Sequence, residues 1–383
     1  MSDEPQNESI DYTLTDEATL PEMPTVENES PNANKPQLFP SPQFAEWLAH
    51  TGGSIAFSTY QSGRLFLLGS SADGSLYAQE RTVGTAMGLA INEKKLWIGC
   101  RDQIWCFVNT GPVRLHKQNY GALYLPRVGH MIGQSNTHDV LIDATFKGVT
   151  YDFLYANTQF SCISTLDSTY NFRPIWRPDF ISELKAEDRC HLNGICAQEG
   201  ELAYATICGQ YDTQLGWKAH QTGSGLIMDV RTNEVVCTGL SMPHSPRWYN
   251  GKLWVLNSGE GELGYVDFTT RRFVAVAQCA GFARGLAFIG DYAVVALSRL
   301  RLSKEGILNN INLSQRLQDR NTFQRCGLQV FDLKSNTLKH WLHISGVVTE
   351  LYDVVYLPNI ARPYTTGFNE PKLNLKRVIF PQI

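Results

Sequence analysis

The sequence predicts an all-β fold, a six-bladed β-propeller closed by pairing its N- and C-terminal strands; seven blades is the other count it allows. Three observations point there. From Ser54 onward the chain consists of short runs rich in Val, Ile, Leu, Tyr, Phe and Trp, bounded by Gly, Asn, Asp and Pro. These runs recur as units of strand, tight turn, strand, loop, strand, turn, strand. Long helical periodicity is absent, apart from a helix near LNNINLSQRLQDR.

The chain begins differently. Residues 1–36 carry nine acidic residues and one lysine, with few large apolar side chains, a composition that cannot offset its own ordering entropy. They read as a disordered acidic tail. Of 33 basic and 37 acidic residues, 32 and 28 remain in the body, which is therefore near +4. PSPQFAEWLAHTG reads as a short helix with Ser41 as N-cap and Phe44, Trp47 and Leu48 on one face. The propeller occupies 37–363 and a C-terminal extension 364–383.

Within the body, the units are clearest at MGLAINEKKLWIGCRDQIWCFVN, at HSPRWYNGKLWVLNSGEGELGYVDFTTRRFV, and at RGLAFIGDYAVVALSR followed by CGLQVFDLKSNTLKHW. Their closing turns are led by Asp167, Asp229, Asp267 and Asp332, with Asn109 in the same place; each can accept a backbone amide two residues on. Four-stranded units in tandem are the signature of a propeller. First strands begin at about Met87, His138, His191, His244, Arg284 and Tyr352. The segment from Ser54 to Val83 supplies three strands without a first, and ELYDVVYLP a first strand without followers. Pairing the two completes the ring and removes open sheet edges.

Bulk properties narrow the function. A net charge of −4 carries no global nucleic-acid or anionic-membrane signature. No apolar run approaches the roughly 18–20 residues that span a bilayer. The N-terminus lacks the regions of a signal peptide, so the reading is a cytoplasmic protein. Nine cysteines without a CxxC pair read as buried, reduced thiols. Motifs of the types GxSxG, HExxH and GxxxxGK[ST] are absent, and the glycines of NSGEGELG read as a hairpin signal.

In a propeller the first strands line a central channel, so their leading residues converge at one mouth. His138, His191 and His244 follow one another at 53-residue spacing. Three neutral imidazoles suit a divalent ion, Zn or Fe. Arg284 can clamp an anionic group, and Asp139 or Asp353 can orient a histidine or move a proton. Asn157, Asn193, Asn257 and Tyr352 add polar groups. Two insertions, 172–194 with Trp176 and 207–225 with Trp217, fall beside the mouth by the same logic. The plainer reading is structural: equal spacings report the repeat, and a histidine opening an inner strand can simply bond a carbonyl.

The stretches RCHLNG, SMPHSPRW, GKLWVLNSGEGELG, GFARGLAF, YAVVALS and ELYDVVYLP resemble an uncharacterised bacterial family of conserved hypothetical proteins, from about Phe44 to Pro363. The resemblance implies a propeller-like fold and no established activity. A looser similarity is to six-bladed peptide-amidating lyases, with three channel histidines on zinc, and to lactonase-type propellers, whose inner Glu is lacking here.

Two functions follow. One is a metal-dependent enzyme of the lyase, hydrolase or oxygenase class, acting on a small molecule or peptide in the channel. The other is a non-catalytic binding module for a peptide, glycan or protein partner.

Overall fold

The computed structural model describes residues 35–300 and 311–368. The acidic tail up to residue 34 and the extension beyond 368 lie outside the described residues. Mostly β and built of curled sheets, the fold runs through strands that pair with their neighbours in sequence.

The strands group in consecutive sets of four, each with a first strand: Ala86–Ile91, Thr137–Phe146, Leu192–Gln198, Pro243–Tyr249, Phe282–Ile289 and Leu351–Leu357. These begin within two residues of the predicted starts. In the last set Leu351–Leu357 pairs antiparallel with Ser54–Thr59, so the two ends of the chain share one sheet. Two sheets gain a fifth strand at the outer edge. Gln37–Pro40 pairs with Thr337–Ser345, and Pro363–Thr365 runs parallel to Ala122–Tyr124. The fold thus continues past the expected boundary at 363, and Thr365 is buried against Gln79.

The apolar core is distributed between sheets. Trp97 and Ile104 of one sheet meet Phe153 and Tyr155 of the next. Leu154 and Ile163 meet Leu202 and Ile207. Trp254 and Leu256 meet Val295 and Phe331. Inner strands such as Ser54–Thr59 and Lys95–Cys100 therefore bury side chains on both faces, which explains why their runs lack clean alternation. The helix forms at Phe44–His50 and buries Phe44, Trp47 and Leu48 as expected. Ser41 does not cap it: the Ser41 hydroxyl accepts from the amide of Trp341 and ties the helix to the neighbouring sheet.

The closing turns behave as predicted. Asp167, Asp229, Asp267 and Asp332 accept the amides of Thr169, Arg231, Thr269 and Lys334 at 2.8–2.9 Å, and Asn109 accepts that of Gly111 at 2.9 Å. All nine cysteines are buried and unpaired. Burial pushes the thiols of Cys100, Cys162 and Cys190 up to about 12, which keeps them protonated and unreactive.

Candidate functional site

The first strands are neighbours in chain order, and Leu351–Leu357 is again a neighbour of Ala86–Ile91. Near its start each strand carries an irregularity in pairing, which re-aims a side chain inward. Counting from the residue paired at the strand start gives the true register. His138 follows Thr137, Asn193 follows Leu192, and His244 follows Pro243. The equivalent of His138 and His244 is therefore Asn193, not His191. His191 lies two residues earlier, in a left-handed conformation (φ 50°) shared by its equivalents Asn136 (φ 51°) and Met242 (φ 49°). The equal 53-residue spacing is a coincidence of insertion lengths. Arg284 follows Ala283 and Tyr352 follows Leu351, and the carbonyls of Leu192, Ala283 and Leu351 accept from Thr158, Ser258 and Ser298 alike, so Arg284 and Tyr352 both share the His138 position.

The partners repeat with the register. His138 Nδ1 lies 2.9 Å from the Asn136 carbonyl and 2.8 Å from the Thr158 hydroxyl. His244 Nδ1 lies 2.9 Å from the Met242 carbonyl and 3.0 Å from the Ser258 hydroxyl. Between them Asn193 donates to the Cys208 sulfur at 3.5 Å. Thr158 and Ser258 spend their own protons on the carbonyls of Leu192 and Ala283, so each accepts from the imidazole. Both rings therefore carry the proton on Nδ1 and present Nε2 as a lone pair. Burial holds His138 well below the ordinary histidine value and His244 down to about 3, with the Arg284 charge adding to both. His191 Nδ1 donates instead to the Asp188 carboxylate, 3.0 Å away.

The rings and charges form a continuous circuit. Trp217 stacks on His191 at 4.0 Å, and His191 meets His138 edge to face at 4.8 Å. His138 meets Tyr352 at 5.5 Å. The Arg284 guanidinium lies 5.2 Å from both Tyr352 and Phe282, and Phe282 is 5.5 Å from His244. Asn193 closes the circuit with its amide 3.5 Å from His244 Nε2. Arg284 pairs with buried Glu350 at 3.3 Å, while its own buried Nε has no hydrogen-bond partner among the described residues. A donor in that state loses its hydration without compensation.

The Nδ1 tethers of His138 and His244 leave Nε2 free in the way a metal-ligating imidazole requires. Only His138 and His191 approach each other closely, and among the described residues no group of three His, Cys, Asp or Glu side chains is placed to hold an ion.

The other expected residues divide. Trp217 is at the site. Trp176 is not: it lies in the outermost strand of its sheet, in the core with Ile163 and Ile181. Asn157 caps the start of a short helical turn by accepting the Phe160 amide, and Asn257 accepts the Ser241 amide and donates to Glu262. Both shape loops. Asp139 lies one position below His138 and Asp353 one below Tyr352, and both bind backbone. Asp139 accepts from Ile195 and Asp353 from Leu89, each amide belonging to the next first strand. Between them Arg247 forms a bidentate pair with Asp139 at 2.8 and 3.1 Å and reaches Asp353 at 3.5 Å. Gly88 and Gly285 permit this closeness, since a Cβ there would stand 2.9 Å from the Asp139 Cα and 2.7 Å from that of Asp353. Arg247, Asp188, Glu350, Thr158 and Ser258 escaped the sequence reading. The Asn-Thr and Asn-Ser pairs that end two second strands carry a signal for the last two.

The profile of a family described as "Domain of unknown function (DUF4915)" matches residues 42–366. No curated protein matches. Among solved structures, a chain of the "Nidogen/Laminin Complex" aligns with a TM-score of 0.51 at 12% identity, covering 80% of this chain and 98% of that one. TolB from Acinetobacter baumannii aligns with a TM-score of 0.41 at 13% identity, covering 80% and 67%. Sqt1 from Saccharomyces cerevisiae aligns with a TM-score of 0.37 at 10% identity, covering 75% and 70%. These are β-propeller proteins, and the first likeness speaks to fold alone. No helix among the described residues is long and apolar enough to cross a membrane.

Proposed function

The chain belongs to the DUF4915 family, and from that premise we propose that it is a six-bladed propeller whose channel mouth binds a small hydroxylated acid. Six first strands that neighbour one another in turn, with the last again beside the first, support the ring and its closure through Ser54–Thr59 and Leu351–Leu357. One observation carries the ligand. The buried Nε–H of Arg284, without a hydrogen-bond partner among the described residues, belongs to the same ring of side chains as His138 and His244, whose Nδ1 tethers leave Nε2 as the lone pair. A cationic donor calls for an anionic oxygen, and neutral imidazole acceptors call for hydroxyl or amine hydrogens. A hydroxy acid or sugar acid offers both, and Trp217 and Tyr352 supply apolar faces for its carbon skeleton. The role is recognition.

Calorimetric titration tests it, with glycolate, D-glycerate, D-gluconate and D-galacturonate against D-sorbitol, which has hydroxyls and no carboxylate. At least one acid binds, sorbitol binds ten-fold or more weakly, and Arg284→Gln removes that preference. A folded protein that takes up none of the acids, or binds sorbitol equally well, sinks the reading.

The Nδ1 tethers favour a second reading, a metal-dependent enzyme with Zn or Fe on His138 and His191 and with His244 drawn in, Arg284 positioning the substrate anion. Equilibrium dialysis against zinc alone distinguishes the two. One tightly held equivalent in the parent, absent from folded His138→Ala/His191→Ala, replaces recognition with metal chemistry.

A further inference from the structure

Beyond the histidine mouth the first strands continue, and their side chains change character. A cavity of about 900 Å³ opens at their far ends, lined by residues from all six first strands. It begins one position past Asp139 and Asp353, so the Arg247 cluster lies between it and the histidines. Ile91, Leu141, Trp248, Ala287, Phe288 and Val355 stand half-buried on its wall. A concave apolar surface left facing solvent is costly and unusual unless something occupies it. The volume falls within the roughly 300–1,000 Å³ of small-molecule pockets.

The charges of the lining decide the class of occupant. Of the lining residues, Arg247 and Glu93 are charged. The Arg247 fork is committed to Asp139, the Pro246 carbonyl and Asp353, so it offers no free cation to an acid. Asn92 and Asn109, also in the lining, have their side chains engaged, Asn92 with the amides of Lys94 and Lys95 and the Asp143 carboxylate, Asn109 with the Glu93 carbonyl and the Gly111 amide. An anion would lose water here, find no free cation and face Glu93, while Glu93, being solvent-exposed, offers a cation only a screened partner.

We infer that the apolar end of the channel is a second ligand site, separate from the histidine mouth, and that it takes an uncharged lipophilic small molecule. The cavity stands whether or not the histidine mouth binds a hydroxy acid. Such a ligand displaces poorly held water from the walls, and its polar end remains at the rim.

Fluorescence titration of the full chain with N-phenyl-1-naphthylamine, a neutral apolar probe, tests the site. Saturable binding near one equivalent is expected, with the sulfonated analogue 8-anilinonaphthalene-1-sulfonate at least ten-fold weaker. Ala287→Trp fills the cavity and weakens the neutral probe ten-fold or more. Ala197→Phe, from a different strand, does the same should the first variant fail to fold, native structure being checked by near-ultraviolet circular dichroism. Arg284→Gln, at the other mouth, leaves the affinity unchanged. Three results overturn the inference: no saturable binding to folded protein, undiminished binding in a folded cavity-filling variant, or equal affinity for the sulfonate. Loss of probe binding in Arg284→Gln overturns the separateness of the two sites.

Discussion

The two ends of the first strands differ in almost every physical respect. At one end His138, Asn193, His244 and Arg284 are held by second-strand hydroxyls, a thiol and Glu350, beneath Trp217. At the other, half-buried aliphatic and aromatic side chains line an open cavity whose one cation, Arg247, is already paired. The same six strands build both, so strand geometry does not make the difference. Side-chain choice within one position of the Arg247 cluster does. Polar groups can be specified only where a second shell satisfies them, and the second-strand ends supply that shell on one side alone.

Breaking the divide should have the largest effect. Arg247→Ala leaves Asp139 buried beside Asp353 without its cation. The expected loss is roughly 3–5 kcal/mol, read from denaturant unfolding. A loss below about 1 kcal/mol would mean that the cluster does not hold the strands together. Gly285→Ala comes next. Its Cβ would press on the Asp353 backbone, and overpacking of this kind costs about 1–3 kcal/mol. An unchanged midpoint would show that the strands can spread at this level.

The tethers of the polar mouth rank third. Ser258→Ala frees His244 Nδ1 from its hydroxyl partner and costs about 1 kcal/mol. It should also broaden the His244 ring resonances in NMR, whereas Ala287→Ser at the apolar mouth stays within about 0.5 kcal/mol of the parent. Equal effects at the two mouths would erase the contrast.

Proton linkage gives the finest test. Burial raises the Asp353 carboxyl to about 7, against 3.8 when unfolded. Between those values the folded state holds the extra proton, so this group's contribution to stability falls as pH rises. His244, lowered to about 3 from 6.5, works in the opposite sense: its contribution is complete above 6.5 and is lost as pH falls towards 3. Asp353→Asn removes only the first effect. Its stability relative to the parent should therefore improve between pH 5 and pH 8. A flat difference would place the proton elsewhere in the cluster.

Strand order, the joining of the two ends and the Asp-led turns were legible because each rests on a local signal: apolar runs, an incomplete set at either end, and an Asp two residues before a free amide. The site was legible only in part. His138, His244 and Arg284 were reachable because they open first strands. The equivalence of His191 was misread, since insertion lengths restore a 53-residue spacing that the pairing register does not share. Asp139 and Asp353 looked chemical because a carboxylate beside His138 or Tyr352 has the same letters whether it faces ligand or backbone. Arg247 was silent because its partners lie 108 and 106 residues away in sequence. Long-range charge pairing leaves no local trace.

The sheet shared by Ser54–Thr59 and Leu351–Leu357 also sets the order in which the molecule can be finished. Synthesis delivers the early strand some three hundred residues before its mate. Throughout translation its inward edge stays unpaired, a template for any other extended segment nearby. Such distant pairing makes the last step of folding slow. A chain stopped before Leu351 would keep that exposed edge permanently, so nonsense truncations near the C-terminus should yield aggregates rather than a slightly shorter working protein.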